Sequence, residues 1–95
     1  MKYESAYGKE LEGLILGFKS KKPLHEFFVD LLTPSEYKDL AVRWQIVKLL
    51  HQGYSQRQIS KKLKVSISMV TRGSREMLNK KGGFAALLKK YTRAK

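Results

Sequence analysis

Apolar residues along this chain recur at spacings of three and four, and no β-branched cluster alternates with period two. That pattern belongs to helices packed by a face, not to strands. Leu11, Leu14, Ile15 and Phe18 predict a first helix from about Glu4 to Phe18. Leu24, Phe27, Phe28, Leu31 and Leu32 predict a second, opening at Pro23. Proline suits a first helical position, where its missing N–H would have no intrahelical partner. Thr33-Pro34-Ser35-Glu36 then opens the longest helix, from Pro34 to about Gln52, ahead of Gly53. Thr33 can cap the Glu36 N–H while the Glu36 carboxylate returns to the Thr33 N–H. The expectation is an all-α fold of about six helices in a single domain spanning residues 1–95. Its parts are N-terminal helices over 1–33, a central helix over 34–53, a helix-turn-helix over 55–79 and a C-terminal helix over 83–92.

Wound at 100° per residue, the central helix carries two apolar stripes. Tyr37, Leu40, Trp44 and Val47 form one, and Val42, Ile46, Leu49 and Leu50 form another on nearly the opposite side. A surface helix needs one stripe, so two imply packing on both sides. In 95 residues a second packing layer is scarce, and another copy of the chain can supply it. A homodimer is therefore expected.

After Gly53 the pattern tightens. Ser55 and Gln58 form another capping box, and Ile59 with Leu63 gives a short helix one apolar edge. Leu63, Val65 and Val70 have the spacing of a small helix-turn-helix core, and Ser66 can cap the next helix, Ile67 to about Asn79. In that motif the second helix enters the major groove with its N-terminal residues at the base edges. The exposed start would be Ile67, Ser68, Met69 and Thr71, with Arg72 and Arg75 following. Ser and Thr can bond base edges or phosphates, while Ile and Met can pack on a thymine methyl. Gln56 and Arg57 open the preceding helix toward the same duplex, and Arg57 can reach a guanine edge or a phosphate. Lys61 suits phosphate neutralisation, as do Lys62, Lys64, Lys80 and Lys81. One residue sits awkwardly: the turn position often taken by Gly is Lys64, at a cost of about 1 kcal/mol if it must be left-handed.

Charge sharpens this. Residues 1–40 carry six Lys against seven acids, whereas residues 41–95 carry fourteen Lys and Arg against Glu76 alone. The back half is a concentrated cationic surface whose natural partner is a polyanion, double-stranded DNA above all. The bland alternative for the two short helices is a solvated Lys-rich hairpin, and the charge asymmetry argues against it. A different alternative is a sequence-tolerant architectural protein that packages DNA or associates with RNA through the same basic face. No enzyme is expected. His25 and His51 are the only histidines and there is no cysteine, so neither a metal site nor a Ser-His-Asp arrangement has its parts. The absence of cysteine makes a cytoplasmic location the simplest reading. No apolar run approaches the roughly 18 residues of a membrane span. The basic end, Lys89 to Lys95, is expected to fray.

Leu32-Thr33-Pro34-Ser35-Glu36, Arg43 followed by Ile46-Val47, Gly53, Ser55-Gln56-Arg57 and above all Thr71-Arg72-Gly73-Ser74 resemble the Trp repressor family over about residues 27–78. The resemblance implies an intertwined helical homodimer whose two reading heads meet successive major grooves of a palindromic operator, as a transcriptional repressor. It implies no required cofactor, with L-tryptophan as a candidate corepressor wedged between the long helix and the reading helix. On the matching positions, Arg43 and Arg72 would sandwich the indole. Arg72 would also hold the carboxylate with Thr33 beside it, and Gly73 would leave room for the ligand. Carbonyls near Asp30 and Leu32 would take the ammonium, and Arg57 would contact a base. Such stacking and bidentate grip suit Arg and not Lys. Arg43 has a plainer reading too, as a charge that snorkels outward or pairs with Asp39. Three departures stand out. Glu76 replaces the family serine near the ammonium, and could hold it more strongly or instead bond Arg72 or Arg43. The link Gly53-Tyr54-Ser55 is one residue shorter than in the corepressor-binding proteins, as in a sister branch with no established ligand. Ser68 and Met69 at the start of the reading helix allow an unfamiliar operator.

Overall fold

The computed structural model describes residues 5–93. Six helices make up the regular structure among them: α1 (Ala6–Leu16), α2 (Lys21–Leu31), α3 (Pro34–His51), α4 (Gln56–Leu63), α5 (Ile67–Met77) and α6 (Gly83–Arg93). The all-α expectation holds, with boundaries moved by a few residues. The Glu4 start expected for the first helix lies outside the described residues, and α1 begins behind Ser5, whose hydroxyl accepts the Gly8 N–H. α2 begins behind Ser20, so Pro23 is its third residue and not its first. The correction is a mild one, because no N–H of a first turn has an intrahelical partner to lose. α3 opens as the sequence predicts: the Glu36 N–H donates to Thr33 Oγ1 at 3.1 Å, and the Thr33 N–H donates to Glu36 Oε1 at 2.9 Å. At the C-terminal end of the chain α6 continues to Arg93, where fraying was expected, and the rest of that expected stretch, Ala94 and Lys95, lies outside the described residues.

The chain divides into two units, one up to Tyr37 and one from Lys38 onward. In the first, neither α1 nor α2 buries a single residue. Its aromatic side chains still find one another. Phe27 lies 5.2 Å from Phe18 and 6.1 Å from Phe28, ring centre to ring centre. His25 stands edge-on to Tyr37, with its Nδ1 3.1 Å from the Tyr37 hydroxyl. Large apolar side chains nonetheless remain open, among them Leu14, Leu16, Val29 and Leu31.

The second unit contains a core. Ile46 and Leu49 of α3, Ile59 of α4 and Val70 of α5 are buried together. Val42, Leu50, Leu63, Val65 and Met69 pack around them. The second stripe of α3 thus finds its layer inside this unit. Of the first stripe Val47 is buried, while Leu40 stays half exposed. The turn between α4 and α5 is drawn tight by Ser60. Its carbonyl accepts the Val65 N–H at 3.1 Å, and its hydroxyl donates to the Val65 carbonyl at 2.6 Å. Closing that turn puts Lys64 in the left-handed region at φ 58°, ψ 48°.

Candidate nucleic-acid interface and ligand cleft

The interface is built by two caps and one turn. Ser55 and Gln58 form the expected capping box: the Gln58 N–H donates to Ser55 Oγ at 3.1 Å and the Ser55 N–H donates to Gln58 Oε1 at 2.8 Å. Ser66 caps α5, accepting the Met69 N–H at 3.2 Å. These caps fix where each helix begins, and so which side chains stand at its first turn. Ile59 and Val70, both fully buried, lock α4 against α5. The pair is a helix-turn-helix in which Arg57, Lys61, Lys62, Lys64, Ile67, Ser68, Arg72 and Arg75 are exposed.

Three of the expected interface residues are not exposed. Gln56, Met69 and Thr71 are half-buried. Met69 is turned toward the core, where it packs on the cluster that contains Val70, so Ile67 and Ser68 make up the open start of α5. Thr71 Oγ1 donates to Gln56 Oε1 at 2.7 Å, joining the two helices by a bond between residues that sequence reasoning had treated as separate contacts.

Beside this pair lies a cleft of about 510 Å³, a size that suits a small ligand. Its wall brings together Arg43 of α3 with Arg72, Gly73 and Glu76 of α5, four of the five residues expected to hold a ligand. Ile46, Val47 and Met69 supply an apolar floor, and Ser66 and Ser68 supply hydroxyls. Arg43 lines this wall and is itself exposed. Thr33, the fifth, belongs to the first unit, where its hydroxyl is engaged in capping α3. Phe84 of α6 also lines the cleft and was missed. Nothing local marks it, since its place depends on α6 folding back on α5.

Gly73 has a structural task in addition. A β-carbon there would lie 2.8 Å from Ile46 Cγ2, so it is needed for α5 to approach α3 as well as for space in the cleft. Chemically, the wall offers two guanidinium planes, one carboxylate and two hydroxyls around an apolar floor. That set complements a small molecule with an aromatic body, a carboxylate and an ammonium. Among the described residues no group of three or more His, Cys, Asp or Glu could hold a metal ion, and no helix is long and apolar enough to cross a membrane.

Comparison with known proteins points to one family. Residues 9–92 match the family described as Trp repressor protein. A Trp operon repressor homolog of Chlamydia caviae is 36% identical over 91 residues, spanning 95% of this chain and 89% of its own length. One from Vibrio cholerae is 49% identical over 55 residues, 56% of this chain and 53% of its own. A crystal structure of a candidate Trp repressor from Staphylococcus aureus superposes with a TM-score of 0.85 at 26% identity, over 96% of this chain and 91% of its own.

Proposed function

The chain belongs to the Trp repressor family, a family of non-enzymatic regulators, and from that premise we propose that it is a homodimeric transcriptional repressor of a palindromic DNA operator. α4 and α5 form each reading head. Within each head, Arg57, Lys61, Ile67, Ser68, Arg72 and Arg75 face the duplex, with Gln56 and Thr71 behind them. A dimer is supported by α1 and α2, which bury none of their own residues and so lack a core without a partner. Two heads related by a two-fold axis would meet major grooves about 34 Å apart.

The cleft takes L-tryptophan or a related aromatic amino acid. Arg43 and Arg72 stack on its ring, Arg72 holds its carboxylate, and Glu76 faces its ammonium. Because the cleft abuts α5, a ligand seated there acts by favouring the head spacing that fits two grooves, to the extent that it binds that state more tightly than others.

The observation that carries this reading is the capped α4–α5 pair with its exposed cations and one shared cleft. The test is duplex binding. A randomised pool of DNA duplexes should yield a selected sequence bound at least about a thousandfold more tightly than scrambled duplex. Affinity should fall by roughly a thousandfold between about 50 and 200 mM salt if some six phosphates are contacted. A preference under about tenfold would instead indicate an architectural protein. Calorimetry with L-tryptophan should give binding heat for the wild type and none for Arg72→Ala. No heat from the wild type at millimolar ligand would retire the corepressor and leave the DNA reading intact.

A further inference from the structure

The Gln56–Thr71 bond has a consequence for how the reading head touches DNA, resting on the duplex-binding reading above. Gln56 is the first residue of α4, and Thr71 lies in the second turn of α5. A glutamine amide offers an acceptor oxygen and a nitrogen with two protons, and a threonine hydroxyl has one proton to give. Here Thr71 spends that proton on the Gln56 oxygen, at 2.7 Å and half-buried. Among the described residues no side-chain nitrogen or oxygen is buried without a partner, so the Gln56 amide nitrogen reaches the surface, beside the exposed Arg57.

One alternative falls on chemistry: phosphate oxygens only accept, so Thr71 cannot bond a phosphate while its proton is committed to Gln56. A two-point bond from Gln56 to adenine would need the second lone pair of an oxygen already held, half-buried, against Thr71, which leaves the amide nitrogen as the group better placed to turn to the duplex. What remains is a donor fixed in direction at the start of the helix that crosses the sugar-phosphate backbone in this motif. We propose that Thr71 is a positioning residue that holds Gln56 as a donor to a phosphate oxygen of the duplex. The pair thus sets the register of the head on DNA without reading a base.

A double-mutant cycle tests this, using a duplex selected by the wild-type protein from a randomised pool and a scrambled duplex of equal length. Thr71→Val should weaken binding to both duplexes by about three- to tenfold, the worth of one oriented hydrogen bond, and Thr71→Ser should restore it. In a Gln56→Ala background Thr71→Val should change affinity less than about twofold, because the two residues act as one. Equal losses in the two backgrounds would overturn the proposal and return Thr71 to an independent DNA contact. Gln56→Glu supplies a check that does not depend on how Thr71→Val folds. It keeps an acceptor for Thr71, removes the donor and sets a negative charge against the phosphate. It should weaken both duplexes more than Gln56→Ala does, and an unchanged affinity would overturn the proposal. A loss confined to the selected duplex would overturn the phosphate assignment in favour of a base edge. A wild type that binds neither duplex would sink the DNA reading itself, and the paired role with it.

Discussion

Gly73 lets α5 approach α3 so closely that a β-carbon there would lie 2.8 Å from Ile46 Cγ2. Ile46 is fully buried and β-branched, so its methyl has no free rotamer to retreat into. Gly73→Ala should therefore destabilise the protein although alanine is the better helix former. Overpacking costs about 1–3 kcal/mol against a propensity gain of about 1 kcal/mol. A net loss of about 1 kcal/mol in urea denaturation is expected, and a gain would show that α5 can shift without cost.

Lys64 is the one non-glycine residue with positive φ among those described. Its left-handed conformation costs about 1–2 kcal/mol that glycine would not incur. Strain of this kind persists where a side chain is useful, and this one is a cation on the exposed face of the turn. Lys64→Gly should raise stability by about 1 kcal/mol while weakening duplex binding and reducing the salt slope by about one. Lys64→Ala should show the same binding loss with no gain in stability. A Lys64→Gly protein that binds DNA as well as the wild type would assign Lys64 to the turn alone.

That left-handed lysine was legible in the sequence, as were both capping boxes and the core of Leu63, Val65 and Val70. Each is an arrangement over a few residues, where side-chain type and spacing nearly determine geometry. The inward turn of Met69, the Gln56–Thr71 bond across 15 positions and the place of Phe84 in the cleft depend on how separate helices meet. Spacing along one helix carries no information about the partner it will face. Arg43 was marked by its odd place between two stripes and by family resemblance, and even together these left cleft wall and solvated charge as equal readings.

The first unit offers a prediction about assembly. Leu16 is 86% exposed, and Leu14, Val29 and Leu31 are each at least half exposed. On an isolated chain, Leu14→Glu would be a surface change worth under about 0.5 kcal/mol. In a dimer it sets a charge in an apolar interface, so it should lower stability by well over 1 kcal/mol and shift sedimentation from dimer to monomer. The wild-type melting temperature should rise with protein concentration. Concentration-independent melting together with a silent Leu14→Glu would refute the homodimer.

Arg57 is exposed and adjoins Gln56 at the start of α4. A guanidinium that reads guanine makes a two-point bond that other bases cannot match. Arg57→Ala should therefore cost about 1–3 kcal/mol on the selected duplex and narrow its advantage over scrambled DNA. Equal loss on every sequence would make Arg57 a phosphate contact.

Glu76 shares one cleft with Arg43 and Arg72, and its carboxylate admits two opposite roles. It can hold the ligand's ammonium, or it can occupy an arginine and compete with the ligand's carboxylate. The deaminated analogue indole-3-propionate separates them, because it keeps the ring and the carboxylate and lacks the ammonium. In the first role the wild type prefers L-tryptophan to the analogue. Glu76→Ser should then reduce that preference by about fivefold, a modest factor because Glu76 is exposed and its charge is screened. In the second role Glu76→Ser should tighten both ligands alike, by freeing the guanidinium planes. The cleft's polar set, two cations and one anion, favours the first, since an amino acid that pairs its carboxylate with Arg72 and its ammonium with Glu76 leaves Arg43 free to stack on the ring.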